Sequence, residues 1–150
     1  MNNYPLITVG ITCYREGEYL INAWKSLESQ SSKDWKAIMV LDGAADSRTR
    51  HIFKTIKHSN LKKITQMRNM GPYHCRTLAI ENAETPWYFH LDADDLLPQD
   101  SIKQVLENII KYPLMDYFWG KCLFFSEKKY FVEYVEEVNH DLQARYNLIL

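Results

Sequence analysis

Two kinds of apolar pattern alternate along the chain, and their order predicts the fold. Short β-branched runs such as LITVGITC (6–13) are typical of strands buried on both faces. Between such runs, segments such as GEYLINAWKSLESQ (17–30) space their apolar residues as an amphipathic helix does. These patterns predict strands at 6–13, 35–43, 61–67 and 86–92, and helices at 17–30, about 52–58, 73–83 and about 102–112.

The C-terminal part of the chain follows a different pattern. The segments YFWGKCLFF (117–125) and KYFVEYV (129–135) predict a closing β-hairpin. The tail from Asp141 onward is predicted to be helical.

Repeated alternation of strand and helix implies right-handed crossovers. The predicted fold class is therefore α/β, with three α/β/α layers around a mostly parallel, Rossmann-like sheet and a C-terminal hairpin. At 150 residues the chain fits a single domain spanning 1–150. Open parallel sheets bind ligands beyond the carboxyl ends of their strands, where this chain carries the polar segments CYREGE, DGAAD and DADD.

Composition bears on the partners and the location that the chain is expected to have. The chain is 46% hydrophobic and 25% charged, with a net charge of −1, so nothing in its charge favours nucleic acid or an anionic membrane as a partner. Three cysteines at wide spacing predict reduced thiols and a cytoplasmic location. No apolar run approaches the length of about 20 residues that a membrane span needs.

Three aspartates, Asp92, Asp94 and Asp95, directly follow the fourth predicted strand. Carboxylates this close need a counter-charge, water or a helix N-terminus. On an extended segment Asp92 and Asp94 share a face, and one or two carboxylates with phosphate oxygens can hold Mg²⁺ or Mn²⁺. The alternative is that Asp94 or Asp95 only caps the helix near Pro98.

Several segments together resemble a known family. In order and spacing, these segments are similar to the donor-binding half of GT-A family-two glycosyltransferases. They are ITVGITCYREGEYL, IMVLDGAAD and NMGPYHCRTLAIENAETPWYFHLDADDLLPQDSI. The members of that family are inverting enzymes that use nucleotide-sugars. The resemblance runs from about Leu6 to about Val135 and is most specific from Asn69 to Asp95.

The resemblance implies roles for residues on the nucleotide side of the site. Thr12 and Tyr14 would line the nucleoside pocket, with Tyr14 stacking on or flanking the base. Glu16 would lie near the nucleotide, although an acid that opens a helix is explained equally well by the helix dipole. Asp42 would hydrogen-bond the base, and Gly43 would allow a tight turn beside it.

The same resemblance implies a diphosphate and metal side. Gly71 would let its loop approach the nucleotide, and Arg76 would place a cation near the diphosphate. Asp92 would contact the sugar or ribose and would also be a candidate ligand of the metal ion. Asp94 would be the principal ligand of Mn²⁺ or Mg²⁺, with Asp95 beside it as a further ligand or a supporting residue.

The chain departs from the family pattern in two ways. Leu41 stands where many members have the first acid of a DDGS block, and Ala44 replaces its serine, so the contact with the nucleotide base is expected to be weaker or differently selective. The carboxylate base that deprotonates the acceptor has no match here and is expected beyond Leu150. Glu136 and Glu137 are better interpreted as a solvated surface.

These observations predict the donor-binding part of a longer, metal-dependent enzyme. It would transfer a hexose or N-acetylhexosamine, with UDP-sugar as the expected donor, to a hydroxyl of a saccharide, lipid-linked or other acceptor, with inversion. A non-catalytic nucleotide-binding or scaffolding domain is the main alternative. A sugar nucleotidyltransferase is a weaker one because its Gly-rich phosphate loop is missing after the first strand. A peripheral membrane location of the longer protein stays open.

Overall fold

The computed structural model describes residues 7–43, 45–120, 122–126 and 129–133. The chain divides into two compact units, Met1–Pro113 and Leu114–Leu150. The single domain expected from chain length stays a prediction. Ala44, Glu136, Glu137 and the tail from Asp141 lie outside the described residues.

The first unit alternates strands and helices as the sequence predicts. Its strands are β1 (Ile7–Cys13), β2 (Trp35–Leu41), β3 (Leu61–Thr65) and β4 (Trp87–Asp92). Its helices are α1 (Tyr19–Glu28), α2 (Ser47–Thr55), α3 (Gly71–Glu81) and α4 (Ser101–Lys111). Each predicted element is present, with ends that differ by a few residues, except that α2 begins five residues before the predicted helix.

The four strands form one parallel sheet in the order β3-β2-β1-β4. Ile7 of β1 is in register with Trp35 on one side and with Trp87 on the other. The chain builds outward from β1 to β3 and then crosses back to β4, so the strand order reverses between β1 and β4. Open α/β sheets bind ligands at this kind of reversal, beyond the carboxyl ends of the strands.

Helices cover both faces of the sheet, which confirms the three-layer α/β class. On one face, alternate residues of β1 and β2 form a core with apolar residues of α1, α2 and α4. On the other face, Ile38 and Val40 of β2 pack with Cys75 and Ala79 of α3. All seven residues of β1 are buried, as expected for a strand covered on both sides.

A buried glutamine fixes the connection between β4 and α4. Gln30 is 1% exposed; its side-chain oxygen accepts the N–H of Ile102 at 3.0 Å. Its amide nitrogen donates to the carbonyls of Pro98 at 2.8 Å and Ser26 at 3.0 Å. The segment that follows the aspartates is therefore anchored to the end of α1.

The second unit contains an antiparallel hairpin of β5 (Cys122–Ser126) and β6 (Lys129–Glu133). Cys122 lies opposite Glu133, and Ser126 lies opposite Lys129. The predicted hairpin is confirmed, with shorter strands than the sequence pattern indicates. Within the ranges that the structure describes, no helix has the length and apolar character to cross a membrane.

Candidate functional site

A cavity of about 250 Å³ lies at the carboxyl edge of the sheet, beside the reversal between β1 and β4. It is bounded by the residues that follow β1, β2 and β4 and by the start of α3. Of the residues predicted for the site, its lining contains Thr12, Tyr14, Glu16, Asp42, Gly71, Asp92 and Asp94. Among the predicted residues that the structure describes, Gly43, Arg76 and Asp95 lie outside that lining.

A second cavity of about 190 Å³ lies at the opposite edge, where β2 and β3 begin. Lys36 and Glu84 line this second cavity and form an ion pair, with 2.7 Å between Lys36 Nζ and Glu84 Oε2. Because parallel sheets place ligand sites at the carboxyl ends of their strands, the first cavity is the candidate site.

The loop after β1 is held by one of its own side chains and by one from α2. The Glu16 carboxylate accepts the backbone N–H of Tyr14 at 2.6 Å, and the Gly17 N–H donates to the Thr49 hydroxyl at 2.9 Å. Since α1 begins at Tyr19 without an acidic residue in its first turn, the interpretation of Glu16 as a helix-dipole acid is wrong. Glu16 instead shapes the segment that carries Tyr14 into the cavity.

Asp42 anchors one loop to another at the end of β2. Its side chain is nearly buried, with 4% exposure. The carboxylate accepts the backbone N–H groups of Gly43 at 2.8 Å, Met70 at 2.9 Å and Gly71 at 3.0 Å. Three donors compensate a buried negative charge well. A contact between Asp42 and a nucleotide base stays a prediction.

Two glycines are required by the shape of these loops. A Cβ at Gly43 would overlap the backbone of Arg68, so the segment after β3 passes directly over this residue. Gly71 has a φ of +83°, a conformation that side chains with a Cβ rarely adopt. Both positions let the backbone of the β3–α3 loop lie against the end of β2.

Arg76 does not line the cavity, and its guanidinium binds Asp92. Arg76 Nη2 lies 2.9 Å from each carboxylate oxygen of Asp92, and its Nε lies 2.9 Å from Nε2 of His90. The same His90 nitrogen is 2.7 Å from Oδ1 of Asp92. Hydrogen bonds from His90 and then from Arg76 lower the pKa of Asp92 to about 2, so its carboxylate stays charged.

Asp94 and Asp95 lie on a turn that begins where β4 ends. The Asp95 N–H donates to the carbonyl of Asp92 at 3.1 Å, so the segment is not extended. The helix-capping interpretation of these acids is wrong, because the N-cap of α4 is Asp100. Desolvation, followed by the charges of Asp94 and Asp92, raises the pKa of Asp95.

The three aspartates do not form a closed metal centre. Across the described ranges, no group of three or more His, Cys, Asp or Glu residues is arranged to hold a metal ion. Asp92 is paired with Arg76, whereas the exposed Asp94 lines the cavity and has no hydrogen bond or ion pair within the described part of the chain. This donor set fits a magnesium or manganese ion held by one carboxylate and completed by phosphate oxygens and water.

Some lining residues were not predicted from the sequence. Asn69 lines the cavity, and its side-chain oxygen accepts the Gly71 N–H at 3.0 Å. Cys13 and Cys75 also line it as buried free thiols. Burial raises the pKa of Cys13 and raises that of Cys75 to about 11, so both are neutral and unreactive. The expectation of reduced cysteines is confirmed for these two.

The fold defines the class of this protein. The first unit has the mostly parallel sheet of GT-A glycosyltransferases, and the chain superposes on such enzymes. Its sequence matches the model of Glycosyl transferase family 2 over residues 8–147, and the chain belongs to that family.

Two relatives show the range of similarity in sequence. Teichoic acid poly(glycerol phosphate) polymerase of Staphylococcus epidermidis is 34% identical over 103 residues, which are 67% of this chain and 14% of the relative. An uncharacterised glycosyltransferase of Methanocaldococcus jannaschii is 34% identical over 104 residues, 67% of this chain and 36% of the relative. The chain spans less than half the length of either protein.

Solved structures show the same fold at lower identity. S. aureus TarS residues 1–349 in complex with UDP-GlcNAc superposes with a TM-score of 0.64 at 23% identity, covering 71% of this chain and 32% of that one. The mannosyltransferase PcManGT of Pyrobaculum calidifontis, in complex with GDP-Man and Mn²⁺, superposes with a TM-score of 0.58 at 20% identity. The match covers 76% of this chain and 34% of that one.

Proposed function

We propose that this chain is the donor-binding part of an inverting glycosyltransferase that uses a UDP-sugar and a divalent metal ion. The observation that carries the proposal is the cavity at the β1/β4 reversal, which brings Tyr14, Asp42, Asp92 and Asp94 together. An aromatic ring, a buried acid and two carboxylates are suited to a base, a sugar and a metal-bound diphosphate. The transferred group would be a hexose or an N-acetylhexosamine.

The nucleoside would occupy the side of the cavity formed by the ends of β1 and β2. Thr12 is nearly buried, and Glu16 holds Tyr14 through its N–H. The Arg15 guanidinium lies 4.7 Å from the centroid of the Tyr14 ring, so a base would stack on the other face of the ring or replace Arg15. Asp42 and Gly71 close the far side. UDP is preferred over GDP because a TarS structure contains UDP-GlcNAc, although PcManGT contains GDP-Man.

Asp94 would hold Mn²⁺ or Mg²⁺ together with oxygens of the diphosphate. Its exposed carboxylate lines the cavity, and the nearby charges of Asp92 and Asp95 add to the negative potential there. When bound, such an ion neutralises charge on the leaving diphosphate. Asp95 would support Asp94, and Asp92 would accept a hydrogen bond from a sugar or ribose hydroxyl.

Acceptor binding and the catalytic base are proposed to lie beyond Leu150. Inverting transfer needs a carboxylate that removes the acceptor proton, and the candidate site contains no unassigned carboxylate among its described lining residues. A saccharide, lipid-linked or other hydroxyl acceptor is proposed, with no role for nucleic acid. The longer enzyme is proposed to act in the cytoplasm, free or peripheral to a membrane.

Calorimetric titration with UDP and with GDP, each with and without Mn²⁺, tests the proposal. Metal-dependent UDP binding is expected, and Asp94→Ala should weaken it at least tenfold. Asp100→Ala is the matched control, because Asp100 is exposed and its side chain makes no capping bond. Failure of both nucleotides to bind under any condition would favour a domain that has kept the fold without the chemistry.

A further inference from the structure

A buried hydroxyl on α2 contacts the loop that carries Tyr14 to the candidate site. Thr49 is 0% exposed, although most threonines lie at the surface. Its hydroxyl accepts the backbone N–H of Gly17 at 2.9 Å and donates to Oδ2 of Asp46 at 2.7 Å. One side chain of α2 therefore joins its own helix start to a loop 32 positions earlier in the sequence.

The chemistry of the two partners sets the direction of these bonds. A hydroxyl has one hydrogen, and an ionised carboxylate only accepts, so the hydrogen of Thr49 goes to Asp46. Bonds from the hydroxyl and from the backbone N–H of Thr49 lower the pKa of Asp46, which keeps this acceptor ionised. The lone pairs of the hydroxyl are then left for the Gly17 N–H. Asp46 thus orients Thr49, and Thr49 holds Gly17.

The bond to Gly17 fixes the peptide unit between Glu16 and Gly17. Thr49 holds the N–H of this unit, and its carbonyl oxygen accepts the N–H of Tyr19 at 3.1 Å. Because the peptide unit is held at both ends, the Glu16 side chain starts from a fixed position. Its Oε2 accepts the N–H of Tyr14 at 2.6 Å. A chain of contacts therefore runs from α2 to the backbone of Tyr14.

A second contact between α2 and this loop is exposed. Arg48 forms an ion pair with Glu18, with 2.6 Å between Nε of Arg48 and Oε1 of Glu18, and both side chains are more than half exposed. Water and salt screen such a pair, so it holds a loop only weakly. The buried Thr49 hydroxyl is the stronger of the two contacts.

We infer that Thr49 is a positioning residue for the nucleoside, because its hydroxyl holds the loop that presents Tyr14 to the base. The inference rests on the proposed function. Thr49 lies outside the lining of the cavity and acts through Gly17 and Glu16. A loop that is already held in the ligand-free protein does not have to be ordered when the nucleotide binds, which lowers the entropic cost of binding.

Titration of UDP with Mn²⁺ into the wild type, Thr49→Val and Thr49→Ser tests this role. Thr49→Val removes the hydroxyl but keeps the two backbone bonds that Asp46 accepts at Oδ1, so the cap of α2 is retained. It is expected to weaken UDP binding about tenfold. Thr49→Ser keeps the hydroxyl and should stay within threefold of the wild type. Thr49→Ala removes the same hydroxyl without adding a methyl group beside Asp46 and should bind as weakly as Thr49→Val.

Thr55→Val is the matched control on the same helix. The Thr55 hydroxyl is exposed and donates to the carbonyl of Ile52 at 2.8 Å, so its removal leaves the loop untouched. UDP affinity within twofold of the wild type is expected for this variant. Thermal unfolding checks that each variant is folded at the temperature of the titration.

Amide hydrogen exchange separates positioning from a general loss of stability. In ligand-free Thr49→Val the amides of Gly17 and Tyr14 should exchange at least fivefold faster, whereas that of Gly71, which Asp42 holds, should not change. Wild-type UDP affinity in Thr49→Val, or a loss that Thr49→Ser does not restore, overturns the inference. Absence of UDP binding by the wild type would remove the proposed function, and the inference with it.

Discussion

The Asp42 carboxylate accepts the backbone N–H of Gly71 at 3.0 Å, although the two residues are 29 positions apart in the sequence. The bond joins the end of β2 to the first residue of α3. Because Asp42 also accepts the N–H of Met70, one side chain holds the C-terminal end of the β3–α3 loop through two backbone bonds. Asp42 therefore helps to set the position of the cavity wall formed by Asn69 and Gly71, together with the bond from the Gly71 N–H to the Asn69 side chain.

Asp42→Asn is expected to lower the free energy of unfolding by about 2 kcal/mol. The amide NH₂ group would replace the carboxylate oxygen that accepts the Gly71 N–H, and an NH₂ group cannot accept that bond. Amide hydrogen exchange at Gly71 should accelerate together with this loss. Asp34→Asn is the control: this exposed residue makes only a surface bond with Ser32, so a change within about 0.5 kcal/mol is expected. Unchanged exchange at Gly71 would show that another contact holds the loop.

Gly43→Ala should be strongly destabilising, since its Cβ would overlap the backbone of Arg68 and neither segment can rotate away as a side chain could. A loss of at least about 2 kcal/mol in urea unfolding is expected from this overpacking. Gly120→Ala is the matched control because a Cβ there has nothing within 4 Å. Equal stabilities of the two variants would mean that the β3–α3 loop readjusts at little cost.

The fold was predictable from local sequence because each strand and helix carries its own periodicity, and crossover handedness then orders the layers. The start of α3 was less predictable. The sequence indicated a helix from residue 73, but α3 begins at Gly71, with Pro72 in its first turn. Proline is compatible with that position, since the first N–H groups of a helix have no partner within it.

The sequence predicts that the site residues lie along one edge of the sheet, because they follow the carboxyl ends of its strands. It does not predict which of these residues bond to one another, because Asp42 and Arg76 pair with groups distant in sequence. A single histidine within a strand is more often packed than functional, yet His90 contacts Asp92. Its spacing of two residues from Asp92 along β4 places both side chains on one face, and that signal could have revealed the pair.

The pair of Asp92 with Arg76 and His90 should make stability depend on pH in the acidic range. The folded pKa of Asp92 is about 2, below its ordinary value of 3.8, so its contribution is present above about pH 4 and is lost as pH falls toward 2. Urea unfolding of the wild type and of Asp92→Asn from pH 5 to pH 3 measures the contribution of this carboxylate to the free energy of unfolding. Their difference in free energy should shrink as pH falls.

The comparison with Asp92→Asn isolates this carboxyl from others. The pKa of Asp46 is lowered by its bond from the Thr49 hydroxyl, and that of Glu84 is lowered by Lys36, so both also respond to acid. These groups are present in both proteins and cancel in the difference. A difference that stays constant from pH 5 to pH 3 would contradict the assignment of the lowered pKa to Asp92.

Gln30 offers a test of whether the fold itself holds the aspartates in place. Gln30→Ala removes a buried acceptor for the Ile102 N–H and a donor to Pro98, which should cost about 2 kcal/mol in urea unfolding. If this anchor positions the turn after β4, metal-dependent UDP binding should weaken as well, although Gln30 does not contact the cavity. Gln99→Ala, at an exposed side chain nearby, should leave both unchanged. Lost stability with intact binding would instead mean that Ala93, buried at 1% exposure, is enough to hold Asp94 at the cavity.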